Sequence, residues 1–388
     1  MERCRECVMP LHLVKHNRDK ICIHCQQNKR TETPDWEKRR QDFHAIIQSF
    51  KGRGKRYDFL VPITGGKDST YVLYYLTQVL GASRVLAFTW DHLFHRQTSW
   101  ANMEKAIAAA GVDFYVYRII DVETTRAIIR GFFRRFGHTC MYCRVLQVPA
   151  IGNVAIRYEI PLIVSGENPG QAHARGTHDK PGPISSRQDA EDRFGIISYL
   201  LRKALAVEMP GRAREIEEEI LGGIGRGLRQ RDFSWPMYVD MGAFLDWYQE
   251  DESSFLKTLS DAFHFQKASD TFTHTSCALE RLRGYQEYNF GRINRTGYTS
   301  EISHFVRSGV LTRQQALGEL ERLGMTESFP DEAQEYAREI GLAMEEFSQR
   351  LGMPLPLSVR AHFAGVGAIQ VLRRLWPKKG RTQIKAPL

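Results

Sequence analysis

The 388-residue sequence predicts an α/β fold built on a doubly wound parallel sheet, preceded by a four-cysteine module and followed by a mainly helical region. Three observations lead there. First, an apolar, β-rich run, YDFLVPI, passes directly into TGGKDS and then into STYVLYYLTQVL, whose apolar spacing suits a helix; strand, glycine turn and helix follow one another within residues 57–80. Second, strand and helix patterns keep alternating through SRVLAFTWDH, MEKAIAAAG, VDFYVYRIID and IPLIVSGENPG, as βα crossovers require. Third, six cysteines fall into Cys-x-x-Cys pairs, Cys4/Cys7, Cys22/Cys25 and Cys140/Cys143, and only Cys277 stands alone. Residues 1–30 then form a zinc-ribbon-like module, 31–55 a linker helix, 56–195 the sheet domain and 196–388 the helical region.

The elements follow in chain order. Cys4, Cys7, Cys22 and Cys25 make two knuckles joined by a hairpin-length segment, the arrangement of a tetrahedral structural zinc site. A closed four-thiolate site leaves no position for substrate, so its expected role is structural or for docking. Trp36, Phe43, Ile46, Ile47 and Phe50 recur at helical spacing, and Gly52 and Gly54 end that helix before the basic linker Lys51–Arg56.

The TGGKDS turn predicts an anion site, because consecutive backbone N–H groups and the positive end of a helix dipole converge there. It is not a Walker loop, since Gly66-Lys67 is followed by Asp68 and the first glycine of that motif is missing; nor does a third glycine open the helix as in dinucleotide folds. The pattern resembles the PP-loop of ATP pyrophosphatases, with Thr64 where serine is usual. That resemblance implies a Rossmann-like domain that splits ATP between the α- and β-phosphates and passes AMP to a carbonyl or carboxyl oxygen. Thr64, Gly65, Gly66, Lys67, Asp68 and Ser69 would then bind ATP. Lys67 faces the leaving pyrophosphate, Asp68 orients the loop or holds Mg²⁺ brought in with ATP, and Ser69 offers a hydroxyl near the helix start. The same resemblance makes Thr89, Trp90 and Asp91, at the end of the second strand, the nucleotide wall, although a strand-end Asp91 equally suits capping the next helix. Gly166, Glu167 and Asn168 end a third strand at the same crevice.

A formal net charge of +9 favours anionic partners, and its spread along the chain suits small anions better than nucleic acid. No run has the length of a membrane span and no apolar signal region follows Met1, so a cytoplasmic protein is expected.

Cys140 and Cys143 stand just before the helix that leads into the Gly166 strand, beside the crevice, and Cys277 in THTSCALERLRGY could add a third thiolate. Three thiolates leave one position open on a zinc ion or a [4Fe–4S] cluster, which sequence does not separate. PP-loop enzymes that thiolate tRNA use such a set. From residue 4 to about residue 325 the chain resembles the N-acetyl sugar amidotransferases of bacterial surface-polysaccharide and O-antigen synthesis, through CRECVMP, CIHC, TGGKDS, CMYC, IPLIVSGENP and NFGRINRTGYTSEISHFVRSGVLTRQQAL. This implies conversion of an acetamido to an acetamidino group on a nucleotide- or carrier-linked sugar. Ammonia would come from a glutaminase partner, with a cyclase-like subunit as in histidine biosynthesis. The alternative is ATP-dependent sulfur transfer to tRNA or a small molecule, with Cys140, Cys143 and Cys277 as cluster ligands or sulfur carriers; a non-catalytic nucleotide-binding scaffold is a third possibility.

The 169–194 segment, rich in Gly, Pro and charge, is expected to be a loop over the crevice or disordered, with His173 and His178 in it. Beyond residue 195 the periodicity is helical, with start signals at Thr312 and Pro330-Asp331, and Arg292, Arg295, Arg307 and Arg313 are candidates to clamp a sugar-nucleotide pyrophosphate.

Overall fold

The computed structural model describes residues 2–28, 34–167, 187–247, 252–267, 276–290 and 297–353. Asn168, His173, His178, Arg292, Arg295 and the basic tail lie outside the described residues.

Five strands, β1 Phe59–Pro62, β2 Val85–Trp90, β3 Asp113–Tyr117, β4 Leu162–Ser165 and β5 Met237–Asp240, pair in parallel in the order β3-β2-β1-β4-β5. Alternation along the strands buries both faces. Phe59, Val61, Val85, Ala87, Leu162 and Val164 enter one core, and Leu60, Leu86, Phe88 and Ile163 the other. The helices are α1 Ile23–Asn28, α2 Trp36–Phe50, α3 Lys67–Tyr74, α4 Gln97–Ala110, α5 Val122–Phe136, α6 Met141–Arg157, α7 Arg187–Glu208, α8 Ala213–Arg229, α9 Glu252–Phe263, α10 Glu280–Phe290, α11 Tyr298–Arg307, α12 Arg313–Arg322, α13 Glu332–Glu339 and α14 Met344–Arg350. Phe132 and Phe133 of α5, Val154 of α6, Leu201 of α7 and Ile220 of α8 fill the core on one face, and Leu73 of α3, Met103 of α4 and Leu259 of α9 that on the other. No helix among the described residues is long and apolar enough to cross a membrane.

Two differences from the sequence expectation stand out. Residues 237–240 add a fifth strand within the stretch read as mainly helical, because MYVD is four residues long and stands among helices. The segment read as a loop to residue 194 is helical from Arg187, where α7 begins. The Thr312 start signal is realised as a capping box with Gln315.

The N-terminal ribbon has the geometry a zinc ion needs. All four ligand sulfurs lie within 4.8 Å of one another, with Cys4–Cys25 at 3.8 Å and Cys7–Cys22 at 3.7 Å. A tetrahedral site with Zn–S bonds near 2.3 Å sets its sulfurs about 3.8 Å apart. The Met9 N–H donates to Cys7 Sγ at 3.4 Å and the Cys22 N–H to Cys4 Sγ at 3.3 Å, as thiolates require. Hydrogen bonds from the Cys22 and Cys25 thiols hold the Cys7 thiol far below its ordinary range.

The ribbon is docked on the C-terminal helices. Arg313 of α12 donates to the carbonyls of Cys4 and Cys7 at 3.3 and 3.2 Å, Arg307 of α11 donates to Cys7 Sγ at 3.9 Å, and Asn28 donates to the Arg307 carbonyl at 3.2 Å. Both arginines, candidates from sequence for a sugar-nucleotide clamp, thus have contacts with the ribbon.

Cys25→Ser is therefore expected to remove one bound zinc ion, read by elemental analysis, and to lower the melting temperature through α11 and α12 as well as the ribbon. Arg313→Ala, which strands two buried carbonyls, should cost about 2 kcal/mol in denaturant unfolding with zinc retained.

Candidate active site

The strand order, which runs outward one way from β1 to β2 and β3, turns the other way from β1 to β4 and β5, and a doubly wound sheet opens its crevice above that switch point. The glycine turn after β1 lies there. Gly65 has φ +69, and a Cβ on it would stand 2.0 Å from the Ser99 carbonyl oxygen of α4, so glycine alone permits the approach. Asn102, fully buried on α4, donates to the carbonyls of Gly65 at 3.1 Å and Gln266 at 2.8 Å and accepts the Gln266 N–H at 2.9 Å. Gly66 is the N-cap of α3 and, as a glycine, brings no side chain of its own to the N–H groups of that first turn.

The polar residues of the turn are engaged with one another. Ser69 Oγ accepts the Thr64 N–H at 3.0 Å and lies 3.2 Å from Thr64 Oγ1, so the two hydroxyls close the turn on itself. Lys67 is only 2% exposed, with Nζ 3.5 Å from Asp68 Oδ2. The other oxygen of Asp68 accepts the indole N–H of Trp247 at 3.2 Å.

The neighbouring strand ends differ in character. Asp91 accepts the Leu93 N–H at 3.1 Å and pairs with Arg118 Nε at 3.1 Å, which makes it part of the turn after β2. Thr89 Oγ1, Trp90 Nε1 and, on β4, Ser165 Oγ are buried without a hydrogen-bond partner among the described residues. Buried polar atoms of this kind call for a ligand or water. A Cβ on Gly166 would stand 2.2 Å from Val72 Cγ2 of α3, which fixes how closely β4 approaches that helix. The Glu167 N–H donates at 3.0 Å to Asp240 Oδ1 at the end of β5, and the same oxygen accepts the Gly242 N–H at 3.2 Å.

The third cysteine pair and Cys277 meet beside this turn, although they are far apart in sequence. Residues 94–96 and 276–278 pair as a short antiparallel bridge centred on His95 and Cys277, through the Arg96 N–H to the Ser276 carbonyl at 3.1 Å and the Ala278 N–H to the Phe94 carbonyl at 2.8 Å. Ser276 reaches the glycine turn, since a Cβ on Gly66 would lie 3.4 Å from its Cβ. Arg96 also pairs with the buried Glu280 carboxylate at 2.9 Å, locking the N-terminus of α10 in place. Further along α10, Gln286 accepts the Thr139 N–H at 3.0 Å and its hydroxyl at 2.6 Å, and donates to the Gly137 carbonyl at 2.9 Å. One helix thus holds the turn before Cys140 at its middle and Cys277 at its start.

Burial, then the neighbouring Cys140 and Cys143, push the Cys277 thiol well above its ordinary range. Three thiols this close resist joint ionisation, and a bound cation would supply the missing charge. Among the described residues, only the ribbon quartet brings three or more such ligand atoms within 4.8 Å of one another. Cys140, Cys143 and Cys277 do not meet that spacing as their side chains stand, and either a zinc ion or an iron–sulfur cluster takes thiolate ligands of this kind. Arg283 of α10 lies over the Tyr298 ring at 4.2 Å; burial works against its charge, and Tyr298, Cys140, Glu287 and Glu301 outweigh that penalty.

Sequence reading missed Asn102, Asp240, Trp247 and the histidine pair His92 and His95, whose ring centroids are 4.0 Å apart. Burial drives both imidazoles below the ordinary histidine range, with His95 adding to the effect on His92. The one available signal was their position in WDHLFH directly after a strand end.

No protein-family model and no curated protein matches the chain. Among solved structures, a U34-tRNA thiolase from Methanococcus maripaludis with its [4Fe-4S] cluster is 13% identical with a TM-score of 0.34, over 83% of this chain and 89% of that chain. An NH3-dependent NAD synthetase from Campylobacter jejuni is 13% identical with a TM-score of 0.29, over 52% of this chain and 96% of that one. An NMN synthetase from Francisella tularensis is 12% identical with a TM-score of 0.25, over 51% and 94%. Scores this low carry no inference about the chemistry of this chain.

Proposed function

We propose that the chain is an ATP pyrophosphatase-type enzyme that activates a carbonyl-type oxygen by adenylation and replaces it. The observation that carries this is the glycine turn between β1 and α3, at the point where the strand order reverses, flanked by Thr89 Oγ1 and Ser165 Oγ, which are buried with no hydrogen-bond partner among the described residues. The N–H groups of Gly65, Gly66 and the first turn of α3 hold phosphate oxygens, where side chains would block the approach. Lys67 supplies positive charge to the departing pyrophosphate, and Asp68 orients it or holds Mg²⁺. Thr64 and Ser69 keep the turn closed. The ends of β2 and β4, Thr89 to Asp91 and Gly166 with Glu167, flank the nucleotide.

The resemblance of the sequence motifs to N-acetyl sugar amidotransferases supplies the finer reading. The acetamido oxygen attacks the α-phosphorus as the bond to pyrophosphate breaks. Ammonia then adds to the activated carbon, loses a proton, and the C–O bond breaks to release AMP and leave an acetamidino group. A glutaminase with a cyclase-like partner delivers the ammonia, since free ammonia at neutral pH is mostly ammonium. The junction of Ser276 and Cys277 with the glycine turn favours a second reading, in which sulfur is delivered to tRNA or a small molecule from the same position. Cys140, Cys143 and Cys277 would hold an iron–sulfur cluster in that case, a group that can bind and pass on sulfide when present.

Incubation with Mg-ATP and a nucleotide-linked N-acetyl sugar, with ammonia or sulfide offered in turn, separates the two by mass spectrometry: an amidine supports the first, a thioamide the second, and no pyrophosphate release with any acceptor, tRNA included, overturns both. Asp68→Asn keeps an oxygen for the Trp247 indole and should fold normally while losing about 100-fold in pyrophosphate release. Gly65→Ala should lower both pyrophosphate release and stability, the latter by about 1–3 kcal/mol, because it places a Cβ against the Ser99 carbonyl at positive φ.

A further inference from the structure

We propose that His95 is a nitrogen ligand of the centre formed by Cys140, Cys143 and Cys277. The inference rests on these cysteines holding an iron–sulfur cluster, and it assigns a fourth protein ligand that three cysteines leave open.

The geometry comes from the backbone first. The two hydrogen bonds of the bridge run from residue 96 to 276 and from 278 to 94, so His95 and Cys277 face each other as the non-hydrogen-bonded pair. In such a pair the Cα atoms are about 4.5 Å apart and both side chains leave on the same face of the ribbon. The imidazole therefore stands beside the Cys277 thiol.

The ring's hydrogen bonding points the same way. Nε2 is 3.0 Å from the Trp90 carbonyl oxygen, which only accepts, so Nε2 carries the proton and donates it. The lone pair is left on Nδ1, which is buried and has no hydrogen-bond partner among the described residues. An imidazole that donates one N–H to a backbone carbonyl and keeps the other nitrogen bare is in the arrangement that metal-bound histidines adopt. His92, with its ring 4.0 Å away and tilted by 33°, and Trp100, edge-on at 5.2 Å, hold the ring in place. His92 is a poorer candidate, since its Nδ1 accepts the Phe94 N–H at 3.3 Å.

Three thiolates and one imidazole give a cluster with one negative charge fewer than four thiolates would, and neutral imidazole ligation raises a cluster's potential.

The test uses full-length protein labelled with ¹⁵N-histidine, reconstituted anaerobically with iron and sulfide and reduced, and read by pulsed electron paramagnetic resonance. The expected result is a strong nitrogen coupling that changes on ¹⁵N-histidine labelling and disappears in His95→Ala, while most of the iron remains. A cluster whose only nitrogen couplings are weak and indifferent to histidine labelling overturns the proposal in the wild-type protein alone, whether or not the variant folds. A coupling lost in His92→Ala and kept in His95→Ala also overturns it. Protein that takes up no iron overturns the cluster reading, and this inference with it.

Discussion

The pairing of residues 94–96 with 276–278 is the contact on which the rest of the site depends. It joins the turn after β2 to the segment entering α10, and three features then follow from it. Ser276 is brought over the glycine turn, Cys277 is brought beside His95, and Glu280 is brought to Arg96. A salt bridge between a buried carboxylate and a partly exposed arginine would be weak evidence for stability by itself. Here it accompanies two backbone hydrogen bonds and a serine contact, so its value is in fixing where α10 starts. Gln286, reaching from that helix to Thr139, carries the alignment on to Cys140.

Much of the architecture was legible because it is local. The alternation of strands and helices, the turn with its two glycines, the spacing of the ribbon cysteines and the Thr312 capping box are all encoded within a few residues, and each is realised close to where its pattern lies. The fifth strand was not legible. Its four residues are too few to show a period, and it is a strand only because β4 offers an edge. Asn102 reads as an ordinary polar residue of an amphipathic helix, and nothing local says that it will carry the Gly65 carbonyl. Asp240, Trp247 and His95 are invisible for the same reason, each acquiring its role from a partner elsewhere in the chain.

Arg307 and Arg313 show the converse. Their residue type suits phosphate, and the motif around them invited that role, yet they meet backbone carbonyls and a cysteine sulfur of the ribbon. A guanidinium is as well matched to carbonyls beside a thiolate centre as to an anion in a crevice. Residue chemistry alone does not choose between the two; the packing of α11 and α12 does.

That docking bears on how the chain matures during synthesis. The ribbon is made before the helices it rests on, α11 and α12, which follow some three hundred residues later, as Cys7 and Arg307 illustrate with a separation of 300. A four-thiolate module gains its folding free energy from the ion, so it can become ordered on the ribosome before its neighbours exist. The long-range step then comes once α11 and α12 have been made, when the two arginines close on a preformed surface. Were the quartet to hold an ion, metal supply during synthesis would in this way bear on the packing of α11 and α12, helices made far from it in the chain.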